Sequence, residues 1–344
     1  MSDWLERLFY PARPDGVLRE LALSPLAVAE AFFATGVQAR TAAQARGWIR
    51  PQRVEGLRII SVGSVLVGGA GKTPVVRALA ERLIARRRPV AVLSRGHGRT
   101  ATGDVRVEGP PWPGPERCGD EPLMLAQSLP GATVWVGADR AALARLAARC
   151  GAAVALLDDG FQHWRLARDV DVVVVDEAVG LGNGHLLPRG PLREQPWALR
   201  RASLLWLRAA ESPVPVPWPE GVPRVRARHG PRDVVEPGGE VRAADVLRGR
   251  RVVGFAGIAR PSSFRRTLEG LGAEVVRFSA FPDHHPFGTE ALRALEQEAS
   301  AAGAWLVTTE KDRVRCPEGT PVHVVRLGVE VLEGEASIDA VLAA

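Results

Sequence analysis

Leu57-Arg-Ile-Ile-Ser-Val-Gly-Ser-Val-Leu-Val-Gly-Gly-Ala-Gly-Lys-Thr73 joins an apolar run to a glycine-rich stretch that ends in Gly-Lys-Thr. Leu57–Val62 reads as a strand, Gly63–Gly71 as a turn and Thr73–Arg86 as a helix. A glycine-rich turn at that junction can aim several backbone N–H groups inward, where the dipole of the following helix also favours an anion. Lys72 then reaches the outer phosphates of a nucleotide, and the Thr73 hydroxyl is placed for Mg2+. The candidate nucleotide-binding residues are Val65, Leu66, Val67, Gly68, Gly69, Ala70, Gly71, Lys72 and Thr73. The strict spacing of such loops asks for glycine where this chain has Leu66, so the loop is a variant, with Gly63 three residues earlier.

On either side of the loop, Pro89–Leu93, Ala132–Val136, Val154–Leu157 and Val172–Val175 are apolar runs of strand length. Asp139–Arg149 has the Ala, Leu and Arg content of a helix. Buried strands alternating with helices predict an α/β fold, here a P-loop NTPase-like three-layer domain built on a parallel sheet. The stretch Glu211–Pro223 contains five prolines and reads as a linker. Arg224–Arg228 and Glu240–Arg242 read as a small β-hairpin around Pro237–Gly239. A second, smaller α/β domain follows, with strands at Arg251–Ala256, Glu274–Phe278, Ala304–Thr308 and Val322–Arg326 and helices at Ser262–Leu271 and Thr289–Ala302. The expected division is thus an amphipathic N-terminal segment (1–56), a P-loop core (57–210), a Pro-rich and hairpin linker (211–249) and a second α/β domain (250–344).

At 344 residues, with 46% hydrophobic and 24% charged residues, both domains can bury a substantial core and the chain is not of disordered type. Its 45 basic and 39 acidic residues leave a net +6, which suits an anionic partner without choosing among nucleic acid, membrane surface and phosphorylated substrate. Cys118, Cys150 and Cys316 lie far apart and form no metal pattern, as expected of a reducing compartment. Acidic Asp3 and Glu6, with Pro11 and Pro14, speak against a cleavable signal peptide. The apolar segment Leu21–Val37 is interrupted by Pro25 and Glu30 and falls short of the ~20 residues of a spanning helix. Trp4, Leu5, Leu8 and Phe9 precede it, and Arg40, Arg46, Arg50, Arg53 and Arg58 follow with only Glu55 opposing. Such a segment either lies in a bilayer interface or packs on its own domain.

A phosphate loop of this kind needs a carboxylate at a neighbouring strand end to help hold Mg2+. Ala153-Val-Ala-Leu-Leu-Asp-Asp159 offers Asp158 and Asp159, and the run ending in Asp176-Glu177 offers a second pair. In Gly119-Asp-Glu-Pro122, Asp120 and Glu121 precede a helix start. Asp120 is either a helix cap or a carboxylate that accepts a hydroxyl proton, and the residues alone rank it no higher for that role than Asp158 or Asp159.

The combination of this loop with Ser94-Arg-Gly96, Gly119-Asp-Glu-Pro122, Leu157-Asp-Asp-Gly-Phe-Gln-His163, Arg168-Asp169, Asp176 and Gly182-Asn-Gly-His-Leu-Leu-Pro-Arg-Gly-Pro-Leu-Arg-Glu194 resembles the tetraacyldisaccharide 4'-kinase (lipid A 4'-kinase) family. The likeness continues through Gly254-Phe-Ala-Gly-Ile258, Phe281-Pro-Asp-His284 and Thr308-Thr-Glu-Lys-Asp312, in the family's order. It implies transfer of the γ-phosphate of ATP to the 4'-hydroxyl of an acylated glucosamine disaccharide-1-phosphate, giving lipid IV-A. It further implies ATP and Mg2+ as cofactors, a second domain that closes over the active site, and a peripheral position on the cytoplasmic face of the bacterial inner membrane. By the same resemblance Asp120 is the catalytic aspartate and His284 its supporting histidine, with His285 an equal candidate for that partner. Lys72 and Thr73 take the phosphate and Mg2+ positions, and Glu121, Asp158, Asp159, Arg193 and Glu194 line the site; Asp158 and Asp159 join Thr73 as metal candidates on the strand-end argument above. Arg193 suits either a nucleotide phosphate or the substrate 1-phosphate. Three positions depart from the family pattern: Ser64 for Asn, Ala70 for a hydroxyl residue and Phe287 for Tyr. A monomer is expected, and no nucleic acid, because the basic residues are dispersed and no recognition module is present.

Two other readings compete. A P-loop kinase of a soluble metabolite would not need the Arg-flanked amphipathic N-terminus. A GTPase-like switch or metal chaperone would carry a guanine-reading motif, of which Glu310-Lys-Asp312 has only the Lys and Asp.

Overall fold

Strand β1 (Arg58–Gly63) is apolar along almost its whole length because it is paired and covered on both sides. In a computed structural model describing residues 9, 10, 21, 23–69 and 71–343, it lies between β5 (Val154–Asp158) and β6 (Val170–Asp176), parallel to both. The readings for Trp4, Leu5, Leu8 and Ala70, and the signal-peptide reading of Asp3, Glu6, Pro11 and Pro14, lie outside the described residues. Further parallel pairing adds β2 (Val90–Ser94) and β4 (Ala132–Val136) beyond β5, and β7 (Leu204–Arg208) and then β8 (Arg224–Val235) beyond β6.

Alternate residues of these strands face opposite layers. Ile59, Ala91, Leu93, Ala155 and Leu157 pack with Leu143, Ala144 and Ala147 of α5 (Arg140–Arg149), whose N-terminus is capped by the Asp139 carboxylate accepting from Ala141 and Ala142 N–H. Val173, Val175, Leu205 and Leu207 pack with Phe161, Leu186 and Leu192, and Phe33 and Ala34 of α1 (Ala27–Ala45) lie against that cluster. Glu30 fastens the same face of α1 by accepting from Leu186 N–H at 2.8 Å and from Arg189 at 3.4 Å. The C-terminal helix (Glu335–Ala343) is tied back by Arg58, which donates to the Val341 and Leu342 carbonyls, and by Arg82 on Glu335.

Contacts divide the chain into two units that do not follow chain order. The first contains the described residues up to Arg95 with Gly131–Arg228 and Glu330–Ala344; the second contains Gly96–Pro130 and His229–Val329. The segment Gly96–Pro130 carries strand β3 (Val105–Val107), a short turn of helix α3 (Pro115–Cys118) and α4 (Asp120–Ser128), so Asp120 shares a unit with His284. In the second unit β10 (Arg251–Ala256) is parallel to β11 (Glu274–Ala280) and β12 (Trp305–Thr309), and β12 is parallel to β13 (His323–Glu333). Val253 and Phe255 face α7 (Thr289–Ala301), while Val252 and Ala256 face α6 (Pro261–Gly270).

Two element readings need correction. The hairpin forms between Asp233–Val235 of β8 and β9 (Val241–Ala243), and Arg224–Ala227 instead pair in parallel with β7. The turn closed by Gly239 N–H on the Glu236 carbonyl sets a register with Val234 opposite Arg242 and Val235 opposite Val241, so Arg224–Arg228 lie too far up the strand to meet Glu240–Arg242. Strand β7 itself was not among the expected strands, although Leu204-Leu-Trp-Leu207 is a continuous apolar run.

His163, in the first unit, is half-buried, with Nε2 buried and without a hydrogen-bond partner among the described residues. Burial, then the charges of Arg140 and Arg168, push its imidazole down to about 4 from an ordinary 6.5. Between those values the unfolded chain binds a proton that the folded chain refuses, so stability falls as pH drops through that window. The melting temperature of the wild type should therefore fall more steeply from pH 6.5 toward 4 than that of His163→Asn; parallel curves would contradict this.

Candidate active site

The loop after β1 is set by what its neighbours leave room for. A side chain at Gly63 would meet the Phe161 Cβ at 2.5 Å, so only glycine lets the Asp158–Phe161 turn approach. Ser64 is fully buried, and its hydroxyl accepts from Leu66 N–H at 3.2 Å, tightening the turn. Val65 and Leu66 put their side chains into the hydrophobic cluster with Phe161 and Leu192. This explains Leu66 at the position where a strict loop has glycine: the residue anchors the loop and offers only its backbone to a ligand. Two backbone bonds, Val67 N–H to the Pro191 carbonyl and Arg193 N–H to the Val65 carbonyl, lash the loop to the Pro191–Arg193 segment.

Gly68 (φ +98°) and Gly71 (φ +79°) then turn the chain through conformations that favour glycine, and α2 (Lys72–Ala85) begins. Lys72 donates to the Gly68 carbonyl at 3.3 Å and stands 3.5 Å from Asp159. Thr73 is on the first turn of α2 beside it. Asp158 ends β5, buried, and Asp159 follows in the left-handed region at φ +53°. Arg193 holds both Asp159 oxygens from one nitrogen, at 2.8 and 2.9 Å. Burial alone would raise the Asp159 carboxyl, but the Lys72 and Arg193 charges outweigh it and hold the group below the usual carboxylate range.

Behind this charged pair stands a buried frame. Gln162 donates to the Ser64 carbonyl and to Glu194, both at 3.0 Å, and accepts from Arg193 at 3.3 Å. Glu194, buried, also accepts from Arg201 at 2.7 Å, whose guanidinium lies over the rings of Phe161 and Trp164. Glu194 therefore supports Gln162 and Arg201. Gln162, Trp164 and Arg201 were not read as site residues; Gln162 stands inside the Asp-Asp-Gly-Phe-Gln-His motif, while nothing local marks Arg201. A cleft of about 400 Å³, lined mainly by apolar groups, opens here between Phe33, Gly36, Val37 and Arg40 of α1 and Gln162, Trp164 and Arg193. The alternative metal-binding strand end is committed elsewhere: Asp176 accepts from Arg208 and Glu177 from Arg226.

In the second unit, Gly119 (φ +90°) passes so close to the His97 carbonyl that a Cβ would lie 3.0 Å from it, and Asp120 opens α4 with its side chain almost wholly buried. His284 Nδ1 lies 2.7 Å from Asp120 Oδ2. His284 is itself in the left-handed region (φ +62°), held there as its N–H donates to the Gly257 carbonyl and to Asp283. Lys311 donates to Asp283 at 3.2 Å and stands 3.4 Å from His284 Nε2. An ammonium group only donates, so Nε2 carries the lone pair and Nδ1–H donates to Asp120. His285 is not the partner: its ring stacks on Phe281, with Phe287 edge-on. Phe287 is itself buried, edge-on to Phe255 and Phe281. Glu121 is exposed and makes no hydrogen bond or ion pair among the described residues.

Thr73, Asp158 and Asp159 supply hydroxyl and carboxylate oxygens, the hard donors that Mg2+ prefers when phosphates and water complete its shell. The side-chain set fits such an ion in chemistry.

A family model described as Tetraacyldisaccharide-1-P 4'-kinase matches residues 21–344. A tetraacyldisaccharide 4'-kinase of Anaeromyxobacter dehalogenans is 47% identical, over 98% of this chain and 94% of its own length. One from Rhodospirillum centenum is 42% identical, over 96% and 94%. The crystal structure of the "apo" form of LpxK from Aquifex aeolicus in complex with ATP matches with a TM-score of 0.80 at 29% identity, covering 94% of this chain and 99% of that one. The mixed α/β fold, a P-loop-like kinase domain with a smaller second domain, is shared with that structure.

Proposed function

The chain belongs to the tetraacyldisaccharide-1-P 4'-kinase family, and from that premise we propose that Asp120, oriented by His284, takes the acceptor proton while the loop ending in Lys72 and Thr73 holds the phosphates of ATP. The enzyme transfers a phosphate from ATP to an acylated glucosamine disaccharide-1-phosphate, a lipid A precursor. The observation that carries the residue assignment is the 2.7 Å contact between His284 Nδ1 and Asp120 Oδ2.

Phosphoryl transfer asks little covalent chemistry of a protein; it asks for charge in the right place and for the acceptor proton to leave. Lys72, at the start of α2 where the helix dipole is positive, neutralises phosphate oxygens. When a nucleotide binds, Lys72 exchanges its Asp159 and Gly68 contacts for phosphate. Arg193, which shares Asp159 with Lys72, keeps that carboxylate ionised and in place. Mg2+, held by Thr73, Asp158 and Asp159, would supply charge neutralisation between the phosphates. Asp120 has one oxygen engaged by the His284 N–H; its other oxygen serves as the proton acceptor for the sugar hydroxyl. The imidazole, bonded to one oxygen, fixes the carboxylate's rotation.

The lipid side of the reaction fits the cleft beside α1, where Phe33 and Val37 offer apolar surface and Arg40 and Arg193 offer cations. On α1 and just beyond it, Val28, Phe32 and Trp48 are exposed (67%, 76% and 76%), with Arg46, Arg50 and Arg53 also exposed. Among the described residues no helix is long and apolar enough to cross a membrane. These features support peripheral docking on an anionic bilayer, with apolar side chains entering the interface and arginines meeting headgroups. Phe32→Asp should lower recovery of the full chain with anionic vesicles at moderate salt while leaving ATP binding intact. Unchanged vesicle binding would remove α1 from the docking surface.

The activity itself is tested with labelled ATP and an acylated disaccharide-1-phosphate in mixed micelles. Asp120→Ala should lower kcat by about 10²–10⁴-fold, the usual loss for a general base. Asp159→Asn should raise the Mg2+ concentration needed for half-maximal rate. A wild-type kcat in Asp120→Ala would end the assignment of the proton acceptor.

A further inference from the structure

Three sequence motifs of the second unit converge on one buried side chain that neither the motifs nor the mechanism above includes. Arg315 follows the helical turn α8 (Glu310–Arg313) and its side chain is only 4% exposed. Its Nε lies 3.3 Å from Asp120 Oδ2 and 3.3 Å from the Lys311 carbonyl. Nη1 donates to the His285 carbonyl at 3.2 Å, and Nη2 donates to the Gly257 carbonyl at 3.0 Å and to Asp312 Oδ1 at 2.8 Å. The guanidinium thus touches the end of β10, the loop carrying His284, the turn α8 and the first residue of α4.

Asp312 fixes the guanidinium from behind. It is fully buried, accepts from Gly257 N–H at 3.0 Å and from the Thr309 hydroxyl at 2.6 Å, and forms an ion pair with Arg315. Gly257 is glycine for a spatial reason: a Cβ there would lie 3.0 Å from the Pro282 carbonyl, 3.2 Å from the His285 Cβ and 3.3 Å from Asp312. The Gly254–Ile258, Phe281–His284 and Thr308–Asp312 stretches therefore meet around one cation. That cation lies between two carboxylates in a nearly dry site, where a charged hydrogen bond is stronger than in water.

We propose that Arg315, held by Asp312, is the positioning residue of the Asp120–His284 pair. It fixes one Asp120 oxygen and, through the His285 carbonyl, the loop from which His284 reaches the same oxygen. The other Asp120 oxygen is left to the acceptor hydroxyl. The inference rests on the reading of Asp120 as the proton acceptor, and one set of variants separates the two.

Transfer from ATP to the acylated disaccharide-1-phosphate in mixed micelles is compared for the full-length wild type, R315Q, R315K, D120N and the double variant D120N/R315Q. R315Q should lower kcat by about 10- to 100-fold, the loss expected for one charged hydrogen bond, with both KM values nearly unchanged. R315K should be intermediate, since a compact ammonium keeps the charge but cannot span the five partners that the planar guanidinium reaches from three nitrogens. The double variant should be no slower than D120N alone, because Arg315 acts through Asp120. A full rate in R315Q, or a loss that persists undiminished in the D120N background, overturns the proposal. A wild-type rate in D120N overturns the reading of Asp120 instead. Where thermal melting shows R315Q unfolded, R315K and D120N/R315K carry the comparison: a partial kcat loss that vanishes beside D120N supports the role, and a full rate in R315K or a persisting loss overturns it.

Discussion

The first unit depends on the double pairing of β1. Hydrogen-bonded to β5 on one side and β6 on the other, it has no edge, and its side chains are buried on both faces. Because the strands are parallel, their carboxyl ends emerge together, which is where open α/β sheets bind ligands. Gly63, Asp158 and Asp176 all lie at that end. The approach of Phe161 to Gly63 then fixes how near the Asp158–Asp159 corner comes to the phosphate loop. A larger residue at Gly63 would part them, and Lys72 and Asp159 would lose their register.

Around that corner, charge outweighs desolvation. Asp159 is partly removed from water, which disfavours its anion, yet Lys72 and Arg193 beside it hold the carboxyl below its usual range. Its backbone, like that of His284, is held in a left-handed conformation that costs a non-glycine residue on the order of 1–3 kcal/mol. At both positions the surrounding hydrogen bonds over-determine the geometry. Positive φ is not in itself a functional mark, since Arg87, just past the end of α2, shares it.

Local patterns in the chain carried much of the fold. Apolar runs marked β1, β2, β4, β5 and β6 to within a residue or two, and the Gly-Lys-Thr ending located the phosphate loop. The pairing partner of Arg224–Ala227 was not legible, because a strand that pairs with β7 at one end and β9 at the other shows the same alternation as a hairpin arm. Long-range side-chain networks were equally hidden. Glu194 is recognisable as part of a motif, but its burial against Gln162 and Arg201 is a property of three separated segments. Asp120 could not be ranked above Asp158 or Asp159 from its own surroundings in the chain. What distinguishes it is His284, 164 residues away, a partner suggested beforehand only by family resemblance.

The proposed mechanism divides the labour: the loop of the first unit holds the nucleotide, and the Asp120–His284 pair of the second takes the acceptor proton. Titration calorimetry with ATP and Mg2+ on Lys72→Met and Asp120→Asn tests it most directly. Lys72→Met should bind with a much weaker Kd and Asp120→Asn with the wild-type Kd. A comparable loss of ATP affinity in both variants would contradict it.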